Sequence, residues 1–212
     1  MPHISSHYIN GVKAPSVNQV TGCISNEGLV KWWRKLGFAA CDKITKESQE
    51  RGTEIHGLFE AMLKGQPVPE GHRYYAFVSA LQMWNISSGY KFLAIEPHLE
   101  SKQYAYHGSP DAVGQTKDGV LEVVDFKIKD KEADYRILMN EAAYAQMWLE
   151  EKGAKPERFR ILNFHPKTAE LTEKVYENKP EYFEDFLTCR KMLEVNKKAD
   201  TYYRTHCMKR YK

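Results

Sequence analysis

"GSPDAVGQTKDGVLEVVDFKIKD", residues 108–130, reads as strand, turn and strand, and it carries Asp111, Asp125 and Lys127. The second strand is a run of β-branched and aromatic residues, yet it holds a charged pair where a sheet should be most buried. An unpaired buried charge is costly, so such a group has a partner, a metal or a chemical task. Period-two alternation sets Leu121, Val123, Asp125 and Lys127 on one face and Val124, Phe126 and Ile128 on the other. The second face is expected to pack on a helix layer. The first turns polar toward the strand's C-terminal end, where sites in open α/β sheets lie. Taken alone, the run equally fits a surface Asp–Lys pair at a fraying strand end.

The turn decides between these. If "KDG" (117–119) is a three-residue loop with Gly119 in the left-handed region, Thr116 pairs with Val120 and Asp111 falls opposite Asp125. Two facing carboxylates destabilise a sheet unless a cation lies between them, and hard oxygen ligands suit magnesium or manganese. A two-residue Asp-Gly loop shifts the register by one and puts the aspartates on opposite faces.

Around this hairpin the pattern is mixed. Residues 1–24 read as an irregular or short-strand lead-in, followed by a short helix capped at Ser25 or Asn26 and stopped at Gly37. In 51–65 the apolar residues Ile55, Leu58, Phe59, Met62 and Leu63 follow helical spacing. His56 lies one step off that stripe, with Glu60 a turn further on the same side. Alone such a histidine is structural or solvated; beside a carboxylate pair it becomes a metal ligand. Residues 72–87 read as a helix, 91–100, 103–114 and 119–129 as strands, and 134–153 as a helix ended by Gly153. Strands follow at 158–166 and 169–177, then a helix over 179–198. The expected architecture is α/β: residues 1–90 form an N-terminal helical extension carrying the His56 helix, and 91–212 form the core and C-terminal helix, packed as one compact domain.

The 212 residues carry 31 basic and 28 acidic side chains, net +3, which permits a nucleic-acid partner without arguing for one. Lys129 and Lys131 continue from the second strand, while Lys31, Arg34 and Lys35 flank Trp32 and Trp33 on the early helix. Basic residues interleaved with aromatics can track a single strand by phosphate contact and stacking, although a solvated face with its tryptophans in the core fits equally. Cys23, Cys41, Cys189 and Cys207 have no C-x-x-C spacing, so neither a zinc knuckle nor a redox motif is written here. No targeting signal and no run long enough to span a membrane is visible, so a cytoplasmic location and no membrane partner are expected.

"RGTEIH" on a helix, "GSPD" on a strand, "EVVDFK" on the next and a helix bearing "NEAAY" together resemble the PD-(D/E)XK nucleases. The likeness is nearest to their RecB-like exonuclease branch, which includes phage-type exonucleases and the mitochondrial genome maintenance exonuclease. It extends over most of residues 9–150. The resemblance implies a restriction-endonuclease-like core of helix, three-stranded meander, helix and strand, and a deoxyribonuclease using one or two Mg2+ or Mn2+ ions. His56, Asp111, Asp125 and the Phe126 carbonyl would hold metal, with Asp111, Asp125 and Lys127 catalytic and Lys127 orienting or activating the attacking water. Tyr144 would be the tyrosine of the Q-x-x-x-Y helix motif, contacting DNA or bracing the lysine. Asn140 stands where glutamine is usual, and Glu96 matches a further acidic position of the branch. The four-cysteine pattern of the CRISPR-associated relatives is missing, so no iron–sulfur cluster is expected. The implied substrate is DNA, single-stranded or with a free end, cut by an exonuclease. A structure-selective endonuclease of the same fold and a catalytically silent DNA-binding relative are the alternatives.

Overall fold

The structure, a computed structural model, describes residues 7–24, 27–129 and 134–206. In its central hairpin, β6 (Ala112–Gln115) pairs antiparallel with β7 (Leu121–Ile128), Ala112 opposite Val124 and Gln115 opposite Leu121. The Thr116 amide donates to the Val120 carbonyl at 3.0 Å, and the Gly119 amide donates to the Thr116 carbonyl at 3.0 Å. Lys117–Gly119 is therefore the three-residue loop, and Gly119 has φ 82°, a conformation that a Cβ would strain. One further step of the same register sets Asp111 opposite Asp125.

The main sheet has the order β3-β6-β7-β8-β9, with β3 spanning Lys91–Ile95, β8 Arg158–Phe164 and β9 Leu171–Glu177. Strands β3, β6 and β7 form an antiparallel meander; β8 then pairs parallel to β7 after the crossover helix α5 (Tyr135–Lys152), and β9 returns antiparallel. The expected order of helix, three-stranded meander, helix and strand is present. A parallel neighbour needs such a crossover because a tight turn can only reverse the chain.

Two expected strands are interrupted. Residues 91–100 break at Glu96, which has φ 47°, and at Pro97, which has no amide to donate. Residues 103–114 break at Ser109–Asp111. The fragments β4 (Leu99–Ser101) and β5 (Tyr106–Gly108) pair with each other as a separate ribbon. The lead-in holds a two-residue hairpin, β1 (Tyr8–Ile9) and β2 (Val12–Lys13), turning through Asn10-Gly11 at positive φ. A short helix α1 (Val17–Thr21) follows, with Ser16 and Gln19 forming a capping box that the sequence reading overlooks.

Helix α2 spans Glu27–Leu36; the expected cap at Ser25 or Asn26 lies outside the described residues. Helix α3 runs from Phe38 to Leu63, starting thirteen positions before the periodic stretch at residue 51. Its first half has almost no buried side chain beyond Cys41, so no apolar stripe advertises it. Helix α4 spans Tyr75–Ser88, and α6 spans Pro180–His206, longer than the expected 179–198. No described helix is long and apolar enough to cross a membrane.

The sheet separates two apolar cores. Leu121 and Val123 pack with α1, α5 and α6 through Val17, Met139, Ala143, Met147 and Phe186. Val124 and Phe126 pack with α3 and α4 through Ile55, Phe59, Phe77 and Leu81. The alternation along β7 is thus realised, with a layer of helices on each face. On the α4 side Glu122 is fully buried and paired with Arg160 through two contacts of 2.5 and 2.9 Å. Arg160 also meets Glu173 and lies over the Trp84 and Tyr90 rings.

Candidate active site

Asp111 stands where the chain enters β6, and its carboxylate is held from two sides. Its Oδ2 accepts the Phe126 amide at 2.6 Å, and its Oδ1 lies 3.2 Å from His56 Nδ1 on α3. Burial pushes the Asp111 carboxyl up, but the hydrogen bond and charge of His56, with Lys127 and the Phe126 amide, outweigh it and hold the group below the usual range. Burial lowers His56; its bond to Asp111 and that carboxylate's charge raise it further, so the imidazolium is favoured.

Asp125 is 7% exposed and meets the Lys127 ammonium through Oδ1, while its Oδ2 is buried with no hydrogen-bond partner. Burial raises its carboxyl despite the lysine, and the Asp111 charge adds to that. Burial opposes the Lys127 charge, but Asp125 and Asp111 outweigh it, so the ammonium is retained far above neutral pH. A lysine held protonated is a cationic stabiliser rather than a proton acceptor.

A third carboxylate, which the sequence reading passes over, completes the group. Glu141 on α5 is 1% exposed, its Oε2 lacks a hydrogen-bond partner, and it shares one cavity with Asp111, Asp125 and Lys127. Burial, followed by the Asp125 charge, drives its carboxyl well above the usual range. The only signal was its place in a helix stretch (137–148) otherwise nearly all apolar, at helical spacing from Ile137 and Tyr144.

The cavity encloses about 480 Å³ and is also lined by Asn18, Thr21, Lys129, Arg136, Asn140 and Tyr144. Lys129, Asn140 and Tyr144 were expected; Asn18, Thr21 and Arg136 were not. Asn140 braces helices: its carbonyl oxygen accepts the Thr21 hydroxyl at 2.8 Å, and its amide donates to Asn18 at 2.9 Å. Tyr144 packs on Gly108, where a Cβ would come within 2.8 Å of its ring, which explains the glycine of "GSPD". Burial, then the Lys127 charge, lowers Lys129.

His56 looks from the other side of Asp111 into a shallower groove with Glu60 and Glu96. Burial, then Glu60 and Asp111, raises the Glu96 carboxyl. Trp32, Trp33 and Arg34 lie on α2, outside the residues lining either cavity. Trp33 instead packs against Phe38, ring centroids 5.7 Å apart.

The arrangement fits a divalent cation. Three carboxyls crowd one cavity, and two of their buried oxygens have no hydrogen-bond partner, a state that a hard cation relieves.

No protein-family model matches the chain, and no curated protein does. Among solved structures the chain resembles SSO0001, with TM-score 0.48 and 10% identity over 89% of this chain and 78% of that one. It also resembles LHK-Exo, an alkaline exonuclease from Laribacter hongkongensis, at TM-score 0.44 and 10% identity over 76% and 86% of the two chains. The complex of LHK-Exo with dAMP gives TM-score 0.45 and 10% identity over 94% and 95%. Likeness at this level assigns no role to any residue.

Proposed function

We propose that the protein is a divalent-metal-dependent deoxyribonuclease, an exonuclease acting on single-stranded DNA or on DNA ends. The observation that carries this reading is the convergence of Asp111, Asp125, Glu141 and Lys127 on one cavity, with an unpartnered oxygen on two of the carboxyls. Asp111 and Asp125 would hold the ion, with Glu141 and the Phe126 carbonyl as further ligands, while His56, which bonds Asp111 from outside the cavity, would act on the ion through that carboxylate. The chemistry that Mg2+ or Mn2+ would supply there is shielding of the phosphodiester charge and a lowered pKa for the attacking water. Lys127 Nζ keeps its proton and offers its remaining N–H groups to the charge that develops on the phosphate. The Phe126 amide and His56 fix the Asp111 carboxylate, so its oxygens need no rearrangement during reaction. Lys129 and Arg136 at the rim bind the phosphates of the strand, and the buried Tyr144 ring walls the cavity against bulk water.

End-labelled single-stranded, duplex and flapped DNA, incubated with Mg2+, Mn2+ or EDTA, test this. Cleavage should require metal and fall by about 100-fold or more in Asp111→Asn and Asp125→Asn. Lys127→Ala should lose cleavage while still binding DNA. Hydrolysis that persists in EDTA or in the Asp125 variant would overturn the assignment.

A further inference from the structure

The geometry points to a second metal site, built by His7, His98 and His107, that takes a zinc-class divalent transition ion. One ring nitrogen from each histidine lies within 4.8 Å of the others, and none of the three lines the acidic cavity. The ring centroids of His7 and His107 are 4.2 Å apart, those of His7 and His98 5.3 Å, and those of His98 and His107 5.6 Å.

The backbone explains why they meet. Glu100 pairs directly across the ribbon with His107, and His98, two residues before Glu100, falls on the same side. His7 is brought to that face by the N-terminal hairpin, where its carbonyl accepts the Ala14 amide at 2.9 Å. Two parts of the chain distant in sequence, the N-terminal hairpin with His7 and the ribbon with His98 and His107, thus place their imidazoles around a shared point. Tetrahedral zinc with Zn–N of about 2.1 Å needs nitrogens about 3.4 Å apart, so closure asks only for small side-chain rotations. His7 and His107 are half-buried and His98 is exposed, which leaves that freedom.

Charge and donor type agree with a transition ion. Glu100 Oε1 lies 2.7 Å from His7 Nε2 and 3.8 Å from His98 Nε2, so the carboxylate can act as fourth ligand or orient the His7 ring. Burial, then the neighbouring His7 and His98, lowers His107 below the ordinary imidazole value and favours its neutral, ligating form. Imidazole donors select zinc, copper, nickel or cobalt over magnesium, whereas the carboxylate cavity has the opposite preference. The ion would act as a clip. The His107 amide donates to the Pro15 carbonyl at 3.2 Å beside the Ser16 cap of α1, and α1 carries Asn18 and Thr21 into the cavity wall.

The test uses the untagged full chain carrying Asp111→Asn and Asp125→Asn, which removes two of the three carboxylates of the acidic cavity, titrated with Co2+ as a spectroscopic probe and then with Zn2+ in competition. The expected result is one equivalent of cobalt with the ligand-field bands of a tetrahedral site, displaced by zinc, and a zinc-dependent rise in Tm. Adding His98→Ala or His107→Ala should abolish both signals while the far-ultraviolet circular dichroism is unchanged. Absence of tetrahedral cobalt in the aspartate double variant, or unchanged binding in the histidine variants, overturns the site. The result is independent of nuclease activity: cobalt bound here beside a wild-type chain that cuts no DNA would sustain this site and remove the nuclease reading.

Discussion

A glutamate 1% exposed with an unpartnered carboxyl oxygen lowers the stability of the folded state, and the amide of a glutamine would relieve that burden. Glu141 and Asp125 both have carboxyl pKa values raised on folding, burial being the leading cause. For a raised acid the folded state holds its proton to higher pH than the unfolded chain does. Its contribution to stability is complete below the unfolded value of about 4.3 for Glu and is lost as pH rises through the folded one. Glu141→Gln should therefore raise Tm in EDTA at pH 8, by roughly 2–4 °C for each kcal/mol relieved, and the gain should shrink toward pH 4. Cleavage should fall in the same variant. Thermal melts across that pH range decide it, and a lower Tm at pH 8 would mean that the carboxylate is already satisfied. The meeting of Asp111, Asp125 and Lys127 was legible in the sequence as one of two registers, and helical spacing marked His56, which bonds Asp111 but does not line the cavity. Glu141 and Glu122 were not, since a lone glutamate in a helix or strand is ordinarily solvated and its burial depends on partners far along the chain.

Among the elements, the β6–β7 hairpin was readable as two alternatives one register step apart, and the Thr116–Val120 pairing with Gly119 at positive φ selects the three-residue loop. Strand breaks at Glu96 and Ser109–Asp111 were less so: their backbone groups are claimed by tertiary contacts, as when the Glu96 amide donates to the Asp111 carbonyl at 2.9 Å. The exposed first half of α3 left no periodic trace at all. The pair of Glu122 on β7 and Arg160 on β8 offers a test of how the parallel strands are held. Removing one partner strands a buried charge, so Arg160→Met should cost about 3–5 kcal/mol. The double change Glu122→Leu with Arg160→Met should recover most of that loss. Urea unfolding of the two single variants and the double variant measures the coupling; additive losses would show that the pair is not a unit.

On the scale of the whole molecule, α2 and the first half of α3 pack on each other while offering Leu29, Val30, Leu36, Phe38 and Ile44 to the surface. We propose that this arm, although its Trp32, Trp33 and Arg34 line neither cavity, walls the approach to the site so that only a single strand threads past it. If a free end must pass it, linear single-stranded DNA should be degraded while the same sequence closed into a covalent circle is spared. Gel analysis of the two substrates at equal concentration separates the readings. Equal rates on both would replace the exonuclease with the endonuclease alternative.

The parallel pairing of β7 with β8 has a consequence for the order in which the molecule is made. Residues 108–128 leave the ribosome well before 158–164, and chains fold from the N-terminal side as they emerge. The hairpin can form at once from local contacts, but its open edge and its α5-facing side stay in water until α5 and β8 arrive. During synthesis Asp125 is therefore a hydrated surface aspartate. It is closed in only when the crossover delivers Glu141 and Tyr144 over it, so the charged groups are gathered and dried in one late event.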